Sequence, residues 1–208
     1  MKFIKIKLLV IAVIMFAASS AFASLSYNVS VDTSSLNNLD GYLYFQYIPV
    51  SAANSTATVS SFVTDGTLAV DSDTSSIVNG SAVTGTLPDN VVFANTNGIN
   101  DYNHAIHFGT SFNFSLLFSD PAFGGQAGGS STFSLGLFDA SLTPLLNVND
   151  PVNAGTLFTV SLVNDGTATT QIMANEASAT PTPIPAAAWL LGSGLMGLAG
   201  LRRRGKNQ

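Results

Sequence analysis

The chain has 208 residues, of which 46% are hydrophobic and only 9% charged, with no cysteine and a formal net charge of −5; a typical soluble domain carries roughly 25% charged residues. Ser, Thr and Asn supply 61 residues in their place. The high apolar content excludes a disordered chain, the absence of cysteine excludes a disulfide scaffold, and the lack of a Gly period or heptad excludes collagen and coiled coil.

The positions of the charges say more than their sum. Lys2, Lys5 and Lys7 lie at one end, and Arg202, Arg203, Arg204 and Lys206 at the other. All twelve acids, from Asp32 to Glu176, fall between them. A body without Lys or Arg cannot neutralise phosphates, which excludes nucleic acid as its partner. Anionic lipids and acidic ligands are disfavoured for the same reason.

Residues 1–23 read as a secretory signal peptide. The three lysines form a basic start, and Leu8 to Ala18 is an unbroken apolar run. Ala21 and Ala23 place small side chains where a signal peptidase must accommodate them, so the mature chain is expected to begin at Ser24. The apolar run is shorter than the ~20 residues a spanning helix needs. An uncleaved N-terminal anchor is the alternative.

From residue 24 to 174 the pattern is that of strands. Tyr27, Val29 and Val31 alternate with Asn28, Ser30 and Asp32. The same period of two recurs at Phe112 to Phe118, at Phe133 to Leu137 and at Phe158 to Leu162. Gly41 to Ile48 is apolar on both faces, which predicts a central or covered strand. Asp40-Gly41, Asp65-Gly66, Asn79-Gly80, Asn97-Gly98 and Asp165-Gly166 are expected turns, and Gly124 to Gly129 a flexible loop. No long helical period intervenes. The expected fold is all-β, a single β-sandwich or jelly-roll-like domain.

Chemistry-bearing residues are few. The histidines, His104 and His107, sit three apart, and on a strand their rings point to opposite faces. A shared metal would need a turn there. No G-x-S-x-G elbow is present. Eleven of the twelve acids are Asp, mostly in turn contexts, and the single Glu176 lies in the expected linker. Asp71, Asp73 and Asp139 are possible hard-oxygen ligands for calcium, with solvated turns as the ordinary reading. No other cofactor is expected. Tyr42, Tyr44, Tyr47 and Tyr102 either pack in the core, the ordinary reading, or form an exposed aromatic platform.

Residues 175–185 read as a Pro/Thr linker. A Gly-rich apolar run over 186–201 follows, with Trp189 at its start and Arg202, Arg203 and Arg204 at its end. This predicts a transmembrane helix whose arginines stay cytoplasmic. The G-x-G-x-x-G at Gly192 to Gly197 lies inside this run, where it serves helix packing and not a dinucleotide.

The segment 183–204, with Pro183, Ile184, Pro185 and Ala186 leading into Trp189, the apolar helix and the arginine cluster, resembles the C-terminal sorting signal of PEP-CTERM proteins. It is nearest the variant with a Val-Pro-Leu-Pro-Ala motif, with Thr182 and Ile184 in place of the Val and Leu. Thr64 to Leu68 and Gly85 to Pro88 are also similar to an uncharacterised subgroup of that family. The resemblance implies a Gram-negative bacterium that makes exopolysaccharide. Export across the inner membrane and transient anchoring by the C-terminal helix would precede processing by an exosortase, leaving the body at the cell surface or outside the cell. The expected function is a non-enzymatic component of the exopolysaccharide or biofilm matrix. The alternative is a carbohydrate-binding module. A hydrolase, the third reading, would need a pocket joining His104 or His107 to two Asp.

Overall fold

A computed structural model describes residues 25–48, 56–69, 76–79, 83–94, 99–119, 130–146, 153–163 and 167–182. Period-2 segments become strands because one side of each can be buried. They are β1 (Leu25–Asp32), β2 (Asp40–Ile48), β3 (Thr56–Thr64), β4 (Thr67–Leu68), β5 (Ser76–Asn79), β6 (Val83–Thr84) and β7 (Val91–Ala94). The second half supplies β8 (Asn100–His107), β9 (Ser111–Ser119), β10 (Ser130–Phe138), β11 (Thr156–Val163), β12 (Ala168–Ile172) and β13 (Ala177–Thr182). All strand pairs are antiparallel.

One sheet has six strands in the order β13-β1-β9-β3-β7-β6. The other has seven, in the order β12-β11-β10-β2-β8-β4, with β5 also on β8. The two pack face to face as a β-sandwich. From the first sheet Val29, Val31, Val59, Phe93, Phe114 and Phe118 point inward, and from the second Leu43, Phe45, Tyr47, Tyr102, Phe133 and Val160. Rings meet across the gap: Phe45 and Phe114 at 5.6 Å, Phe93 and Phe133 at 5.8 Å, Phe118 and Phe133 at 6.3 Å. β2 is central, as its two apolar faces predict.

Two expectations are corrected. Asp40-Gly41 is not a turn but the start of β2. Gly41 is there for space: a Cβ on it would stand 2.6 Å from Leu145 and 2.7 Å from the Phe108 ring. The second is the linker. Residues 177–182 form β13, paired along β1 from Val31↔Ala177 to Ser26↔Thr182. Pro181 is tolerated because β13 is an edge strand, where a missing N–H costs no ladder bond. The compact unit runs from Ser24 to Pro183 and holds both sheets and their shared core.

Among the described residues no helix is long and apolar enough to cross a membrane. The expected signal peptide with Ala21, Ala23 and Ser24 lies outside those residues. So do the sorting segment 183–204, its helix, the Asn97-Gly98 and Asp165-Gly166 turns, and the loop at Gly124 to Gly129.

The two sheets are tied at one end by Asp65, in the Asp65-Gly66 turn that the sequence predicts. Its carboxylate accepts the backbone N–H of Thr110 at 3.0 Å, that of Ser111 at 2.9 Å, and the Thr110 hydroxyl. The Thr110 hydroxyl, with these two N–H groups, pulls the Asp65 carboxyl down to about 2. Gly66 and Gly109 let the two turns touch, since a Cβ on either would collide with the other's backbone. Asp32 is lowered by Ser34, and Asp139 by the N–H of Thr143. Each carboxylate is thus favoured in the folded state over its unfolded value of ~3.9. Their contribution is present above that value and is lost as pH falls below it, for Asp65 between about 4 and about 2. Urea midpoints measured across this window should fall for the wild type. Asp65→Ala should start lower and fall less steeply, and parallel curves would exclude the role assigned to Asp65.

Candidate functional site: the outer face of the seven-stranded sheet

The four tyrosines divide into two pairs. Tyr47 and Tyr102 are fully buried in the core. Tyr102 takes part in a buried network there. Its hydroxyl accepts the Leu87 N–H at 2.8 Å and lies 2.9 Å from Nδ1 of His104. Tyr42 and Tyr44 have the opposite parity on β2 and stand half-buried on the outer face. Two of the four candidates therefore pack in the core, the ordinary reading, and two lie half-buried on the outer face.

The register sets what borders these two rings. Tyr44 lies between Asn103 of β8 and Gly136 of β10, and Tyr42 between Ala105 and Phe138. Ala105 leaves the Tyr42 ring partly uncovered, whereas the space over Gly136 beside Tyr44 is taken by the Phe138 ring, which a Cβ on Gly136 would meet at 2.5 Å. Phe138 extends the patch, meeting Tyr44 edge-on at 5.9 Å.

Polar groups border the rings. Nε2 of Gln46 donates to Oδ1 of Asp101 at 2.9 Å and to the Tyr44 hydroxyl at 3.1 Å. Burial first, and the Asp101 carboxylate second, push the Tyr44 hydroxyl up to about 12. It therefore stays protonated at any physiological pH. At the far end of β2 a cleft of about 310 Å³ opens between Tyr42, Ala105, Leu68 and the Asp40–His107 pair. Nδ1 of His107 lies 2.8 Å from Oδ1 of Asp40. Both side chains are exposed, at 49% and 90%.

This face offers two half-buried tyrosine rings, with Phe138 edge-on to Tyr44, flanked by carboxylate, amide and imidazole groups. It carries no lysine or arginine among the described residues. A pyranose presents axial C–H groups to aromatic rings and hydroxyls at its rim, and rings beside polar groups can meet both.

The outer face of the six-stranded sheet differs. Its shallow groove of about 460 Å³ is lined by Asn28, Ser30, Asn113, Ser115, Ser178 and Thr180, with no exposed ring. Its hydroxyls are partly spent on neighbouring strands. Thr182 donates to the Ser26 carbonyl at 3.1 Å, and Ser178 to that of Ser30 at 3.5 Å.

The remaining candidates are dispersed. His104 points into the core and His107 outward, as their spacing on a strand requires. Oδ1 of Asp139 accepts the N–H groups of Ser141 and Thr143, both at 2.8 Å, which is turn work. Asp71 and Asp73 lie outside the described residues. Glu176 sits in the β12–β13 turn, where its backbone carbonyl accepts the Asp32 N–H at 2.8 Å. The sequence reading missed Gln46, Asp101, Asn103 and Phe138. Gln46 shares the face of Tyr44 by the period of two on β2, a signal the sequence carried, and the pairing of β2 with β8 and β10 brings Asp101, Asn103 and Phe138 to it. No protein family, curated protein or solved structure matches this chain.

Proposed function

We propose that this chain is an exported, non-enzymatic component of the extracellular polysaccharide layer, and that it holds polysaccharide on the outer face of the seven-stranded sheet. The observation that carries the binding role is the half-buried pair Tyr42 and Tyr44 with Gln46 and Asp101 beside them. The address rests on the signal at 1–23 and on a tail resembling a PEP-CTERM sorting signal, which a signal peptidase and an exosortase would remove. A binding role is favoured over hydrolysis because, among the described residues, the cleft beside His107 is lined by one Asp, Asp40, where such a site needs two. The acid-only body favours a neutral polysaccharide over an anionic one.

The test is affinity electrophoresis of the Ser24–Pro183 unit through gels holding neutral or anionic polysaccharide. Retardation is expected in a neutral gel. Tyr42→Ala with Tyr44→Ala should abolish it at a stability cost of about 1–2 kcal/mol, small because both rings are already half in water. Undiminished retardation in the double variant would overturn the assignment of this face. Extracellular protein from a producing culture should begin at Ser24 and lack Arg202 to Arg204. A dominant species that keeps those arginines would overturn the sorting reading.

A further inference from the structure

β12 ends the seven-stranded sheet, and β11 alone pairs with it among the described residues. An edge strand presents unpaired N–H and C=O groups to any second strand. Proteins blunt such edges with proline, lysine, inward charges or short length. The other edges here are blunted: β13 carries Pro181, β4 and β6 have two residues each, and β5 has four. β12, Ala-Thr-Thr-Gln-Ile, has no proline, lysine or charge, in a body that has no lysine, and its five residues make it longer than β4, β5 and β6.

A second observation concerns side chains. The register with β11 sets Ala168, Thr170 and Ile172 opposite Leu162, Val160 and Phe158, all three of which are buried. The first three therefore share the inward side of the sheet. Ile172 is nevertheless 46% exposed, so apolar surface is left open at this rim.

We propose that β12 is a self-association edge, which pairs antiparallel with β12 of a second copy of this chain about a two-fold axis at Thr170. The contact is isologous, and the sequence is self-complementary across it. Thr170 meets its own counterpart, Thr169 meets Gln171, and the exposed Ile172 covers the small Ala168 of the other copy, twice over. No charge opposes a like charge along the strand. An antiparallel pairing of this kind needs an axis normal to the sheet, so the outer faces of both copies lie on one side. Two tyrosine faces then address one polysaccharide layer together, with the gain in avidity that two linked sites give. That last consequence rests on the proposed function, whereas the pairing does not.

The experiment is light scattering of the Ser24–Pro183 unit over a range of concentrations, with salt to screen the twelve acids. A concentration-dependent dimer is expected. Ile172→Lys should be monomeric and melt near the wild type at high dilution, and Leu142→Lys, at an exposed apolar side chain elsewhere, should remain dimeric.

A second readout uses the absence of cysteine. Directly opposed antiparallel residues have Cα atoms about 4.5–5.5 Å apart, within the span a disulfide accepts. Thr170→Cys should therefore form an intermolecular disulfide with oxidised glutathione, two thiols giving one disulfide and two reduced glutathiones. Leu142→Cys should lag far behind. A monomer at every concentration, a dimer that survives Ile172→Lys, or a Thr170→Cys link no faster than Leu142→Cys would each overturn the pairing. Ile172→Lys should also weaken retardation in the neutral gel. A dimer whose loss leaves retardation unaltered establishes the pairing and overturns the shared-face consequence.

Discussion

Phe133→Ala is expected to cost about 3–5 kcal/mol, a large part of the roughly 5–15 kcal/mol that holds a domain folded. Phe133 is fully buried, and its ring lies 6.2 Å from Phe45, 5.8 Å from Phe93, 6.3 Å from Phe118 and 6.4 Å from Phe158. Phe45 and Phe158 belong to its own sheet, while Phe93 and Phe118 belong to the facing one. Alanine would leave a cavity in the middle of the sandwich, bordered by strands that cannot approach without breaking ladder pairs. The loss thus combines transfer and cavity costs. Phe133→Leu, which keeps most of the volume, should cost about 1–1.5 kcal/mol. Denaturant titration of the two variants distinguishes a central ring from a peripheral one. A loss near 1 kcal/mol for alanine would mean that the sheets close without this side chain.

The strands around Phe133 were legible because burial on one side imposes a period of two, and that period survives in the sequence. Tyr27, Val29 and Val31 are buried, and Asn28, Ser30 and Asp32 are exposed, in the order the alternation predicts. β2 was harder. With apolar residues at both parities, the sequence cannot tell whether Tyr42 and Tyr44 or Leu43, Phe45 and Tyr47 face the core. The answer comes from register: Gly136 and Ala105 lie beside the outer rings, whereas Phe133 and Tyr102 lie beside the inner Tyr47 and Phe45. Gln46 and Asp101 are 55 residues apart and meet only because β2 and β8 pair. Asp40-Gly41 misled because a pair that favours turns can also begin a strand, where the missing Cβ admits Phe108 and Leu145. The unusual composition has a physical place as well. Ser, Thr and Asn line the groove on the outer face of the six-stranded sheet, the work that lysine and glutamate do in most soluble domains.

Removing β13 is expected to have the second largest effect, and it tests the one element whose composition argued against structure. Ala-Ser-Ala-Thr-Pro-Thr reads as a tether by its proline and hydroxyls, and a domain ended at Ala174 would omit it. In the fold it covers the length of β1. Tyr27, Val29 and Val31 behind that edge are 3%, 2% and 0% exposed. The N–H of Asp32 is satisfied by the Glu176 carbonyl at 2.8 Å. Without β13 the first sheet would end in an eight-residue strand whose only charge is Asp32. Burying one such side chain in full is worth about 1.5–3 kcal/mol, so uncovering half of each of the three loses about 2–4 kcal/mol. The new edge would also be open to pairing with other chains, because nothing on β1 blunts it. Comparison of the Ser24–Ala174 and Ser24–Pro183 fragments by thermal denaturation and light scattering should show the shorter one melting well below the longer and aggregating as it does. Equal melting temperatures would return residues 175–182 to the status of a linker and place the end of the domain at β12.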